Sequence, residues 1–119
     1  MGRNIELEDR ITRFAARSVK VCEALPPKRI GSASFADQLF RSSTSVAANY
    51  AEATQAESRK DFVHKLKIVL KELNEARTWL KIIAEADYIG KSALSDLIAE
   101  SEELSRILSA SVITARKGL

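Results

Sequence analysis

The stretch Ser58–Ile83, SRKDFVHKLKIVLKELNEARTWLKII, decides the fold. Within it Phe62, Leu66, Val69, Leu73, Ala76, Leu80 and Ile83 recur in alternating steps of four and three, which lines them up along one face of an α-helix. A strand would need alternation with period two, and none is present. Ser58 stands where an N-cap belongs, with Asp61 at the third helical position as an acidic form of the capping box. The pattern predicts a helix over residues 59–87, ~40 Å long at 1.5 Å per residue. A helix with a single apolar stripe must bury it against partners, so the rest of the chain is read for them.

Downstream, Tyr88-Ile89-Gly90 reads as a turn, with Gly90 expected in the left-handed conformation that ends helices. Leu94, Leu97, Ser101, Leu104, Leu108 and Val112 then build a further helix over 91–116, and Arg116-Lys117 complement its negative C-terminal end. Upstream, Gly31-Ser32-Ala33-Ser34 reads as a loop in which Ser34 is the expected N-cap and Asp37 suits the positive helix end. Phe35, Leu39, Val46, Tyr50 and Ala53 follow as the apolar members of a helix over 34–54. At the start of the chain Leu7, Ile11, Phe14, Ser18, Val21 and Leu25 form another 4-3 stripe, predicting a helix over 6–25. Pro26-Pro27 ends it, because proline lacks the N–H and clashes with the preceding turn.

Helices of comparable length joined by short connections become antiparallel neighbours, and heptad-like spacing favours shallow crossings of about 20°. The expectation is an all-α, up-down-up-down antiparallel four-helix bundle, a single domain over residues 1–119. A chain of 119 residues that is 45% hydrophobic and 29% charged suits one hydrophobic core. Its lone cysteine, Cys22, cannot form an internal disulfide and reads as a small core residue. Met1-Gly2-Arg3-Asn4-Ile5-Glu6 lacks an apolar signal core, and Glu6 stands where a myristoylation signal wants Ser or Thr. No apolar run approaches the ~18–20 residues a membrane span needs. A soluble, cytoplasmic protein is expected.

No catalytic residue is expected. His64 with Asp61 three residues before it has the acid-to-histidine step of carboxylate-bridged metal bundles, but those need a second such step and further carboxylates. A Cys22–His64 pair has no orienting partner in the sequence. Neither a Gly-rich phosphate loop nor an isolated carboxylate pair occurs, so no metal, cofactor or small-molecule substrate is inferred.

Two patterns do invite a function. Arg10, Arg13, Arg17 and Lys20 form one basic row, and Lys60, His64, Lys67 and Lys71 form another. Such rows neutralise phosphates along a nucleic-acid backbone without reading sequence, although a charge run on an amphipathic helix is ordinarily its solvated face. The charge is also uneven: residues 1–30 carry seven basic and four acidic side chains, residues 31–57 one and three, within a net charge of +3. The second pattern is a polar stripe of Gln38, Ser42, Ser45, Asn49 and Glu52 beside the apolar stripe of helix two. Arg41 lies one turn from Ser45, so an Arg41–Ser45–Asn49–Glu52 hydrogen-bond chain along the helix is expected. Small polar residues of this kind let helices approach closely or fix register; a ligand-facing or lumen-facing surface is the alternative. Trp79, directly before a core position, is either a packing residue or an anchor for a contact between chains.

The run Gln38-Leu39-Phe40-Arg41-Ser42-Ser43-Thr44-Ser45-Val46-Ala47-Ala48-Asn49-Tyr50-Ala51-Glu52 resembles the hallmark of the four-helix-bundle proteins related to the 23S rRNA intervening-sequence protein. Gln38, Arg41, Ser45, Asn49, Ala51 and Glu52 are the matching positions; Ser58, Lys60, Phe62, Lys65, Leu66, Lys71, Glu72, Glu75, Trp79 and Leu80 resemble the family's third helix. The sequence departs at Ala53, where the family has Gly, so helix two is freer to continue there. The resemblance implies a ring-like homopentamer, as in the related accessory variability protein of diversity-generating retroelements, which binds nucleic acid through a basic surface. It implies no assigned activity for most members. The functional expectation is a non-enzymatic, oligomeric protein that contacts RNA or DNA through Arg10, Arg13, Arg17, Lys20, Lys60, Lys67 and Lys71. The alternative is a protein-interaction scaffold assembled through its own helices, with Gln38, Arg41, Ser45, Asn49, Glu52 and Trp79 at structural or subunit contacts.

Overall fold

The computed structural model describes residues 4–119 and contains four helices: α1 (Ile5–Ala24), α2 (Ser32–Ala53), α3 (Arg59–Glu85) and α4 (Lys91–Lys117). The reading of Met1-Gly2-Arg3 as free of a targeting signal lies outside the described residues. No helix among those described is long and apolar enough to cross a membrane. Side-chain contacts give the helix directions. Arg41 reaches Glu72 and Glu75 while Glu52 lies 4.0 Å from Lys65, so α2 and α3 run oppositely. Arg10 on the first half of α1 bonds Glu100 of α4, while Arg29, just after α1, donates to Ala86 O and Asp87 O just before α4, which makes α1 and α4 antiparallel as well. Helix backbones approach one another around the ring α1–α2–α3–α4, with the α1–α4 seam the sparsest, while the diagonal pairs α1–α3 and α2–α4 stay apart across the core. The bundle measures 50 × 21 × 20 Å.

The stripes read from spacing form the core. Ile11, Phe14, Leu39, Val46, Leu66, Val69, Leu73, Ala76, Leu80, Ile83, Leu94, Leu97, Leu104 and Leu108 are all buried. Val21, Phe35 and Phe62 are only half-buried and pack on the core from its edge. Four serines, Ser18, Ser42, Ser43 and Ser101, are also fully buried and donate to carbonyls of their own helices, as Ser101 does to Ile98 O at 2.6 Å. A serine that satisfies itself locally occupies little volume, so neighbouring helices can come close at these levels.

The helix ends differ from expectation in instructive ways. Asn4 caps α1, its Oδ1 accepting from Leu7 N at 3.0 Å. Ser58 caps α3 as the sequence predicts, accepting from Asp61 N at 3.0 Å. Ser34, however, is not the cap of α2: the helix starts two residues earlier, after Gly31 at φ 84°. A turn over Pro26–Arg29 brings the chain round early, and the left-handed Gly31 launches the helix, with Phe35 N bonding Gly31 O at 2.8 Å. A Cβ at Gly31 would lie 3.1 Å from Tyr88 Oη and 3.4 Å from Phe35, so the site favours glycine for space as well as backbone. Asp37 consequently falls outside the first turn.

Gly90 likewise does not end α3. It sits at φ −56°, ψ 139° as the N-cap of α4, and the left-handed residue is Asp87, at φ 58°. Tyr88 N bonds Ile83 O at 3.0 Å and Asp87 N bonds Ala84 O at 3.1 Å, the bond pair of a Schellman motif. Asp tolerates this conformation better than most residues but not as well as glycine. Asp87→Gly is therefore expected to raise the unfolding free energy by about 0.5–1 kcal/mol, measured by urea denaturation. Helix α2 stops at Ala53, where Gln55 N and Ala56 N turn back to Glu52 O and Ala53 O and tighten the last turn.

Candidate nucleic-acid interface

Because α3 turns Leu66, Val69, Leu73 and Ala76 inward, the side chains half a turn away point to solvent. These are Lys60, His64, Lys67, Lys71, Asn74, Thr78 and Lys81, all exposed. Lys60 to Lys71 spans ~16 Å at 1.5 Å per residue, and its three lysines lie ~10 and ~6 Å apart along the axis, with His64 between the first two. Lys60, Lys67 and Lys71 have no carboxylate partner among the described residues. The reason lies next door: Glu72 and Glu75, the acidic residues beside this row, are held by Arg41 of α2, with Nη1 2.8 Å from Glu72 and Nη2 bonded to Glu75. Their two carboxylates hold the Arg41 guanidinium above its ordinary pKa. Acidic neighbours stand at the two ends: Glu52, Glu57 and Asp61 line a hollow with Lys65 at the start of α3, and Glu85, paired with Lys91, follows Lys81 at its finish.

The row on α1 is weaker than its spacing suggests. Arg13, Arg17 and Lys20 are exposed, but Arg10 is folded onto α4, with Nε and Nη2 donating to the two oxygens of Glu100 at 3.1 and 2.7 Å. Hydrogen bonding to Glu100 raises its pKa, despite some opposing desolvation. Glu6 and Asp9 occupy the exposed face ahead of Arg13. The rows of α1 and α3 also lie on diagonal helices and face opposite sides of the bundle. One duplex cannot meet both within a chain.

The polar stripe of α2 is not the intrahelical chain expected. Asn49 Nδ2 donates to Ser45 O at 2.8 Å, but Arg41 and Glu52 turn to α3 instead. A charged side chain gains more from a carboxylate across the seam than from a neutral hydroxyl on its own helix. Gln38 is exposed and Ser42 is buried. The clue that could have found this pairing was the Glu72, Glu75 step on α3, whose spacing puts both carboxylates on one face. Trp79 is half-buried and packs on Phe35 with ring centroids 5.9 Å apart. Phe35 meets the Tyr88 edge at 5.1 Å, and the Arg29 guanidinium stacks 3.6 Å over Tyr88 while donating to Ala86 O and Asp87 O. This cluster closes the end of the bundle where the α1–α2 and α3–α4 connections meet.

No group of three or more His, Cys, Asp or Glu that could hold a metal ion occurs among the described residues. Cys22 sits between α1 and α2, its Sγ 3.4 Å from Ala36 O, whereas His64 faces outward on the diagonal helix α3. They form no dyad. Burial pushes the Cys22 thiol up, which lowers the thiolate fraction at neutral pH. Iodoacetamide at pH 8 is expected to alkylate Cys22 at least several-fold more slowly than free cysteine, and to match it only after denaturation, as mass spectrometry would show.

The model of the family described as 23S rRNA-intervening sequence protein matches residues 3–110. The chain belongs to this family. A crystal structure of a protein of unknown function from the S23 ribosomal protein family of Bacteroides thetaiotaomicron superposes with a TM-score of 0.80 at 33% identity, covering 89% of this chain and 97% of that one. No curated protein matches. In this chain the Gln38–Glu52 run serves helix packing and the Arg41 seam to α3.

Proposed function

We propose that this family member is a non-enzymatic protein that binds RNA or DNA through its basic helix faces, independently of sequence, and works as a homo-oligomer. The observation that carries the reading is the exposed row Lys60, His64, Lys67, Lys71, whose lysines lack carboxylate partners among the described residues. Unneutralised cations at regular spacing attract a polyanion by releasing its condensed counterions. Three or four phosphate contacts give only weak binding per chain, and an assembly that presents several copies multiplies it. The pentamer implied by the family resemblance would serve that purpose. The test is fluorescence anisotropy of labelled RNA and DNA at low salt. Binding that weakens as salt rises is expected, and undetectable binding of both would end the reading.

A second reading, a scaffold that assembles with copies of itself and binds no nucleic acid, is favoured by an apolar groove of about 640 Å³ between α3 and α4. Phe62, Ile107, Ala110 and Ala115 line it. Light scattering separates the outcomes: a monomer at micromolar concentration removes the assembly from both readings.

A further inference from the structure

Resting on the nucleic-acid reading above, we infer that the outward face of α3 alone is the contact surface, and that it takes double-helical rather than single-stranded nucleic acid. Three observations converge on this. The α3 face offers Lys60, Lys67, Lys71 and, after Asn74 and Thr78, Lys81, in one line with no carboxylate until Glu85 at the helix end, which pairs with Lys91. The α1 face begins with Glu6 and Asp9 and has lost Arg10 to Glu100, so its remaining Arg13, Arg17 and Lys20 share that face with two exposed carboxylates.

The third observation concerns aromatic rings. Proteins that hold single strands combine cations with side chains on which the bases stack. The α3 face carries no Phe, Tyr or Trp; its one ring is the small imidazole of His64, too few for a stacking platform. Trp79 and Tyr88 are committed to the end cluster with Phe35 and Arg29, and Phe40, which is 52% exposed, belongs to α2. Without stacking, binding rests on phosphate density. A duplex presents one charge per ~1.7 Å of axis, about twice the density of one strand, so it releases more counterions per contact. A straight row of ~16 Å follows one strand for about three phosphates before the strand curves away, which suits a ridge laid along a backbone. That chemistry is shared by duplex RNA and duplex DNA.

The experiment is anisotropy with a 20-base-pair DNA duplex, the RNA duplex of the same sequence, and their separate strands, using the full chain. Three proteins are compared: wild type, K60E/K67E/K71E and R13E/R17E/K20E, each checked by circular dichroism for a native melt. Expected are at least tenfold tighter binding of one or both duplexes than of single strands, a loss of ten-fold or more in the α3 variant, and less than threefold change in the α1 variant. A milder variant, K60Q/K67Q/K71Q, gives the same ranking if the reversal disturbs folding. Single strands bound as tightly as duplexes, or equal losses in both face variants, overturn the inference while leaving the nucleic-acid reading in place. Failure of every probe to bind overturns both.

Discussion

Phe14→Ala is expected to lower the unfolding free energy by about 3–5 kcal/mol. Phe14 is completely buried, on the α1 stripe between Ile11 and Ser18. Removing its ring withdraws a large apolar surface from the core and leaves a cavity, and long helices packed along their whole length cannot collapse into it without shifting as rigid bodies. Domains of this size are stable by only about 5–15 kcal/mol, so the change is a large share of the total. Urea denaturation followed at 222 nm would read it as a lower midpoint with an unchanged slope. A loss below about 1 kcal/mol would mean that α1 does not close the core.

Ser101→Leu is the second. Ser101 is fully exposed to packing and not at all to solvent, flanked on its stripe by Leu97 and Leu104. Leucine adds three carbons where there is no space, and overpacking costs about 1–3 kcal/mol. Ser101→Ala should change stability by less than about 0.5 kcal/mol, because the hydroxyl bonds only Ile98 O of its own helix, which the helix ladder already engages. The pair separates two roles. If alanine costs as much as leucine, the hydroxyl matters for its polarity; the large difference expected here assigns it to close helix approach.

These two positions also show what the sequence makes legible. Spacing alone puts Leu94, Leu97, Ser101, Leu104, Leu108 and Val112 on one stripe, and every one of them is buried. Periodicity reports which face of a helix is inward, and that is fixed within the helix itself. The ends were less legible. Cap chemistry in the sequence points to Ser34 and Gly90, whereas Gly31 and Asp87 hold the left-handed conformations, because where a helix stops depends on how its neighbours close around it. For Gly31 those neighbours are Tyr88 and Phe35, nearly sixty and four residues away by their numbers.

The candidate surface divides in the same way. That Lys60, His64, Lys67 and Lys71 share an outward face follows from their spacing. That they stay unneutralised does not, since it depends on Arg41 reaching across from α2 to take Glu72 and Glu75. Arg10 shows the opposite outcome: by spacing it belongs with Arg13 and Arg17, yet Glu100, ninety residues away, removes it. Long-range ion pairs choose which charges remain for a partner, and a single sequence shows only the candidates.

The central claim, that three unpaired lysines on α3 meet phosphates, is tested most directly by the salt dependence of duplex binding. With one counterion released per phosphate contact, the slope of log K against log salt should be close to −0.9 per contact, or about −2.7 for each chain engaged. Replacing Lys67 by alanine should make it shallower by about 1 per chain. A slope near zero, or one that Lys67→Ala leaves unchanged, would contradict the account.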